Sequence, residues 1–190
     1  GSATVRRLRA SGAEVTIAAR GEDALDALAE DTGATAHVVD ASDIGAVGEL
    51  VERVVEAHGR LDGVANLAGS VLLKPAHLTT PEEFHDTIAT NLTSAFAVVR
   101  AAAPAMRSGG GSIVLASSAA AQIGIANHEA IAAAKAGIIG LVRSAAATYG
   151  AKGVRVNAVA PGLVDAGMTA RLVGNEAQAE ASRKMHVLGR

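Results

Sequence analysis

Short runs rich in Val, Ile and Ala alternate with helical segments at intervals of roughly thirty residues from one end of the chain to the other. That alternation limits the fold more than any other feature. Strands separated by helices lie parallel, joined by right-handed crossovers, because tight hairpins are unavailable to them. The runs are apolar on both faces, as strands covered by helices on each side must be. A parallel α/β sheet in one domain over residues 1–190 is expected, with no linker, repeat or low-complexity tract to divide it.

Local signals place the elements. Residues 2–11 read as a helix ended by Gly12, followed by a strand over Glu14–Ala19 and a helix over Glu22–Asp31. Thr35–Val39 is the next strand, and Ser42 is the expected cap of a helix running to about His58. Leu61–Asn66 is a strand. Thr80, Pro81, Glu82 and Glu83 together mark the start of a helix that runs on towards Met106. Ser112–Ala116 is a strand, Asn127 the expected cap of a helix to about Tyr149, and Val154–Val159 the last strand before Pro161-Gly162.

Composition narrows the function classes. Aromatics make up 2% of the chain while 44 residues are alanine, so the core is aliphatic and its helices sit close to the sheet. Such a surface has almost nothing on which to stack nucleobases, and a net charge of −2 leaves no basic footprint for nucleic acid. Without cysteine there is no disulfide, thiolate metal site or cysteine nucleophile. No run of about eighteen uninterrupted apolar residues suggests a membrane span. His37, His58, His77, His85 and His186 are scattered without metal-ligand spacing and read as structural or solvated, so no metal is expected. With no signal-peptide pattern at Gly1-Ser2-Ala3-Thr4, a soluble cytoplasmic protein is the expectation.

Four signatures then fall in order: Asn66-Leu67-Ala68-Gly69 after a strand, Asn91 in the next helix, Ser118 at a strand end with Lys135 on the following helix, and Pro161-Gly162 after Val156-Asn157-Ala158-Val159-Ala160. In that order and spacing they resemble the short-chain dehydrogenase/reductase family over essentially the whole chain. The resemblance implies a doubly wound, Rossmann-like, three-layer α/β/α fold that binds a nicotinamide dinucleotide. Gly1 then falls on the third glycine of the family's phosphate-binding loop, and Val187-Leu188-Gly189-Arg190 on a segment that precedes a further helix and strand. The chain therefore reads as an internal fragment lacking the first strand, with two strand edges left unpaired.

The resemblance also assigns roles. Asn66, Ala68, Gly69, Pro161 and Gly162 would line the cofactor, Asp40 and Ala41 would meet the adenine, and Lys135 would hold the nicotinamide ribose. A strand-end Asp is also an ordinary turn former. The residue ending the second family strand selects the dinucleotide, since a carboxylate there binds the ribose 2′-hydroxyl and repels a 2′-phosphate. Here Ala19 followed by Arg20 suits the phosphate, so NADP is expected over NAD, the alternative being that Arg20 is a solvated loop residue.

In the family Ser holds the substrate oxygen, Tyr is the acid/base, Lys lowers the Tyr pKa, and Asn supports a water relay. Asn91, Ser118 and Lys135 match. The Tyr position, four residues before Lys135 and thirteen after Ser118, is Ile131. Tyr149, the chain's one tyrosine, lies elsewhere, and Ala166 stands where the family usually has a Thr. His128, one turn before Ile131, is a chemically competent replacement or simply a polar first-turn residue. Glu129 is explained by the helix dipole. The expected function is NADP-dependent hydride transfer between a carbonyl and an alcohol, with small-molecule substrates. A dinucleotide-binding pseudo-enzyme is the rival. Alanine-rich segments at Asn91–Met106 and Ile131–Thr148 need burial on several faces, which intramolecular packing could supply, and the resemblance implies a homo-oligomer, a tetramer.

Overall fold

Helix starts and stops obey local chemistry in the computed structural model, which describes residues 1–189; Arg190, which closes the Val187–Arg190 segment, lies outside the described residues. In chain order the principal elements are α1 (Ser2–Ala10), β1 (Thr16–Ala19), α2 (Glu22–Thr32), β2 (Thr35–Val38), α3 (Ile44–His58) and β3 (Gly63–Asn66). They continue as α4 (Pro81–Ile88), α5 (Ser94–Ala105), β4 (Gly111–Ala116), α6 (Glu129–Tyr149), β5 (Val154–Val159), α7 (Ala170–Val173) and α8 (Glu176–Met185). Gly33 and Gly59 end α2 and α3 in the left-handed conformation that glycine adopts without steric cost. At Thr80 the expected start is a reciprocal capping box, Thr80 accepting from the Glu83 amide while the Glu83 carboxylate accepts from the Thr80 amide.

Two caps differ from expectation. Asp43, not Ser42, caps α3: its Oδ1 accepts from the amides of Gly45 and Ala46 at 2.8 and 3.0 Å. Ser42 instead donates its N–H and hydroxyl to Asp40. At α6 the cap position is His128 rather than Asn127, and neither side chain caps the helix; Asn127 takes φ 63°, a left-handed conformation that Asn tolerates. The helix expected to run unbroken towards Met106 is interrupted by a π turn at Ala89–Thr93, which divides α4 from α5 around Asn91.

All strand pairing is parallel, in two groups. Thr16 to Ala19 lie opposite Thr35 to Val38, and β3, β4 and β5 pair in that order. Among the described residues no further strand pairs with β1 or β3, and Ala18, Ala19 and Ala65 are exposed. Val5, Ile17, Leu25 and Ala34 knit α1 and α2 to β1. The larger core joins Val47 of α3, Ala97, Val99 and Ala102 of α5 and Ile138 of α6 to Ile113, Leu115, Val154 and Val156.

Absence of an uninterrupted apolar run did not reveal that the helical stretch Glu129–Lys152 is, on average, long and apolar enough to cross a bilayer. Its position accounts for part of that composition, about a third of the stretch (33%) being buried. Ala134 and Ile138 are buried, and the helix packs along β4 and β5 as one wall of the core.

Candidate functional site

The C-terminal ends of β3 and β4 carry the signature residues, as the ends of parallel strands generally carry ligands. Asn66 ends β3 buried. Its Nδ2 donates to Ser94 Oγ at 3.1 Å, and its Oδ1 accepts from the Ala68 amide at 3.0 Å, which turns the loop towards Gly69. Asn91, 1% exposed, grips the same loop from the π turn. Its Oδ1 accepts from the Ser70 amide, and its Nδ2 donates to Ser70 Oγ and the Thr87 carbonyl. The π turn explains how Asn91 reaches across, since a single-turn π bulge re-aims a side chain inside an otherwise regular helix. Ser70 completes this clasp, and nothing in the local sequence marks it.

Lys135 comes to the same place from α6. It is 8% exposed, and its Nζ donates to the carbonyl of Ala116 at the end of β4, 2.8 Å away. Burial pushes its ammonium below the ordinary lysine value. Gly69 lies between Asn91 and Lys135: a Cβ there would stand 2.9 Å from Asn91 Oδ1 and 3.4 Å from Lys135 Nζ, with Met168 Cε at 3.9 Å. Glycine therefore keeps a cradle open that any side chain would fill.

Ser118 follows β4 in extended backbone. Its Oγ accepts from the Ala120 amide at 3.2 Å, while its O–H donates to no group among the described residues. The hydroxyl is free to donate to a ligand oxygen. Ser117 beside it is committed to structure, donating to the Lys135 carbonyl. The Pro161 carbonyl accepts from the Ala119 amide at 2.9 Å, so the Pro161-Gly162 turn is tied to the Ser118 turn. The chain thus brings Asn66, Ala68, Gly69, Asn91 and Lys135 together, with Ser118, Pro161 and Gly162 on an adjoining loop pair.

Ile131 is 6% exposed, one turn before Lys135 on the buried face of α6. His128 is half-buried, and its Nδ1 donates to the carbonyl of Ala126 in its own turn. Among the described residues it bonds to none of Asn91, Ser118 and Lys135. At the far strand ends Arg20 Nη1 comes within 3.9 Å of Asp40 Oδ2, both on the surface. Hydrogen bonds from the Ser42 hydroxyl and amide, aided by Arg20, hold the Asp40 carboxyl below the usual range. Ala41 is half-buried beside them. Gly1 sits exposed at the N-cap of α1, its carbonyl accepting from Val5. No cluster of metal-ligating side chains occurs among the described residues. A surface cavity of about 540 Å³ is lined by residues including Ser117, Gln122, Gly140 and Arg143, and reaches neither Lys135 nor Ser118. Chemistry rather than volume marks the site.

A parallel sheet with an open glycine cradle beyond its strand ends, a buried lysine and a free hydroxyl defines a Rossmann-like ligand-binding protein. The comparisons agree with that class. A family model described as enoyl-(acyl carrier protein) reductase matches residues 1–190. Trans-4-hydroxycyclohexanecarboxylate dehydrogenase of Sinomonas cyclohexanicum is 38% identical over 183 residues, 90% of this chain and 71% of that protein. Levodione reductase of Leifsonia aquatica is 35% identical, covering 86% of this chain and 65% of its own length. The solved structure of a short-chain type dehydrogenase/reductase from Mycobacterium ulcerans superposes with TM-score 0.92 at 29% identity, over 97% of this chain and 70% of that one. The chain belongs to the short-chain dehydrogenase/reductase family of oxidoreductases, and spans between 65% and 71% of the length of these relatives. The family implies a nicotinamide dinucleotide cofactor.

Proposed function

We propose that the protein is an NADP(H)-preferring oxidoreductase that interconverts a carbonyl and an alcohol in a small or medium-sized substrate, with NAD(H) the lesser partner. The observation that carries this reading is the Asn91–Gly69–Lys135 cradle with the free Ser118 hydroxyl beside it. The residues fit the group: Gly69 leaves the space open, and the Lys135 ammonium, with no carboxylate bonded to it among the described residues, is left to donate to ribose hydroxyls. Asn66, Ala68, Pro161 and Gly162 line the same cleft. When bound, the dinucleotide would have its adenine held by Asp40 and Ala41, its 2′-phosphate by Arg20, and its pyrophosphate by the N-terminus of α1 at Gly1. The dinucleotide supplies or accepts the hydride.

Ser118 donates to the substrate oxygen and stabilises negative charge there as the carbonyl is reduced. Asn91 holds the loop that shapes the cradle. Proton delivery is the open step, because the buried Ile131 has no proton to give. His128, at the N-cap of α6 one turn before Ile131, is the imidazole that would carry the proton, and in this reading it serves through Nε2. The hydroxycyclohexanecarboxylate in one relative's name points to ring alcohols as substrates to try first. The exposed Phe96 on α5 and the alanine-rich open face of α6 support assembly into a homo-oligomer, a tetramer, and a cytoplasmic setting completes the proposal.

A second reading is favoured by Ile131 itself: a protein that binds the dinucleotide without transferring hydride. Both are tested in the full-length protein. NADPH should bind more tightly than NADH by fluorescence titration, and Arg20→Ala should erase the preference. A mutant that keeps it shows that Arg20 is not the reader. Losing a positioned acid costs about 10²–10⁴ in rate, so Ile131→Tyr should recover part of that range if the wild type is inert. Measurable wild-type turnover that vanishes in His128→Ala, with nothing gained from Ile131→Tyr, establishes the relocated acid instead.

A further inference from the structure

We propose that His186 is a positioning residue that sets the Pro161-Gly162 wall of the nicotinamide site and pins the strap running from Gly162 to α8 across the cradle; this rests on the cofactor reading above. Pro161-Gly162 follows the end of β5, where one side of the turn is already fixed by the bond from the Ala119 amide to the Pro161 carbonyl. The other side is fixed by an imidazole. A Cβ on Gly162 would overlap His186 Nε2 and come 3.0 Å from its Cε1, so the ring occupies the volume that a side chain at Gly162 would need. A side chain there requires the His186 ring to shift.

The ring is itself held. His186 Nδ1 lies 2.8 Å from the Ser182 carbonyl one turn back on α8. A carbonyl only accepts, so Nδ1 carries the proton and Nε2 is the nitrogen turned to Gly162. Ser182 and Ala179 are buried, which anchors α8 below the ring. The segment from Gly162 to His186 is therefore a loop whose two ends touch. Between them, Met168 reaches the cradle, its Cε close to the position a Gly69 side chain would take. Thr169 stiffens the stretch before α7, its hydroxyl bonding to the Val164 and Ala166 carbonyls and accepting from the Ala166 amide. Releasing the His186 end would free the Gly162 wall and the Met168 contact together, both on the nicotinamide side, while Arg20 and Asp40 lie far away in sequence on other strand ends.

The experiment compares NADPH with 2′-phospho-ADP-ribose, which lacks the nicotinamide, by calorimetric titration of the full-length protein. In His186→Ala the Kd for NADPH should rise about tenfold, the loss of roughly one well-made contact, while that for 2′-phospho-ADP-ribose stays unchanged. His186→Phe, which keeps a ring against Gly162, should recover most of the NADPH affinity. Gly162→Ala should lower Tm sharply in wild type and far less in the His186→Ala background, because the two residues share one volume. Equal weakening of both ligands, no weakening of either, or a Gly162→Ala cost independent of His186 overturns the proposal and leaves the cofactor reading standing. Failure of wild type to bind either ligand removes the cofactor reading, and this inference with it.

Discussion

Lys135 and Ile131 stand one turn apart on the same buried face of α6, and they pull the chemistry of that face in opposite directions. An isoleucine there is ordinary core. A lysine there loses solvation and keeps a hydrogen bond to the Ala116 carbonyl as compensation. Because burial disfavours the charged form, the folded chain gives up the Lys135 proton at a lower pH than the unfolded chain, whose lysine keeps the ordinary value of 10.5. Between the two values the unfolded state binds more protons, so stability at this site rises with pH across that window. Below it both states are protonated and the burial cost is present in full. Lys135→Met has no such titration. The urea midpoint of wild type relative to Lys135→Met should therefore climb as the pH is taken from 7 towards 10, and a flat difference would show that the ammonium is not desolvated. Residues of this kind were readable from sequence because motif spacing ties them to strand ends. Ser70, Met168 and His186 were not, since each acts through a partner at least 21 residues distant and no local pattern marks them.

At the scale of elements the legible part was what local chemistry decides. The Thr80 start of α4, the Gly12 stop after α1 and the full extent of β5 are local and fell where expected. Ambiguity arose where two capping residues are neighbours. Ser42 and Asp43 both satisfy the capping preference, and the choice between them depends on Asp40, which takes both donors of Ser42. A helix interior is equally deceptive: the π turn at Asn91 has no breaker residue in it, and it coincides with the hydrogen bond from Asn91 to Ser70 across the loop. The cap assignment has a measurable consequence. Asp43→Ala removes the acceptor of two orphan amides of α3 and should cost about 1–2 kcal/mol in urea unfolding. Ser42→Ala touches only the exposed Asp40 turn and should stay within about 0.5 kcal/mol of wild type. The reverse ranking would restore Ser42 as the cap.

The whole molecule presents two kinds of surface with no partner among the described residues, and they should drive association differently. One is formed by helix faces: Phe96 on α5 is 47% exposed, and Ala133, Ala136, Gly140 and Ala147 on α6 lie open, an alanine-rich face that α6 could not bury on the sheet. Faces of this kind pair by symmetry and close into an assembly of fixed size. The other is formed by the free edges of the terminal strands, β1 and β3 among them, whose unpaired amides and carbonyls can add strand to strand without limit. Sedimentation velocity of the 190-residue chain should show a discrete oligomer that Phe96→Glu dissolves, because a carboxylate in the middle of an apolar contact loses its solvation. Light scattering should separately show slow, concentration-dependent growth that Phe96→Glu leaves in place. A charge set on an exposed position of an edge strand, Ala65→Lys, should suppress that growth while the discrete oligomer persists, since Lys on an edge disfavours strand addition. If Phe96→Glu stops the growth and Ala65→Lys dissolves the oligomer, the two surfaces have exchanged roles, and the helix faces are not the assembly interface.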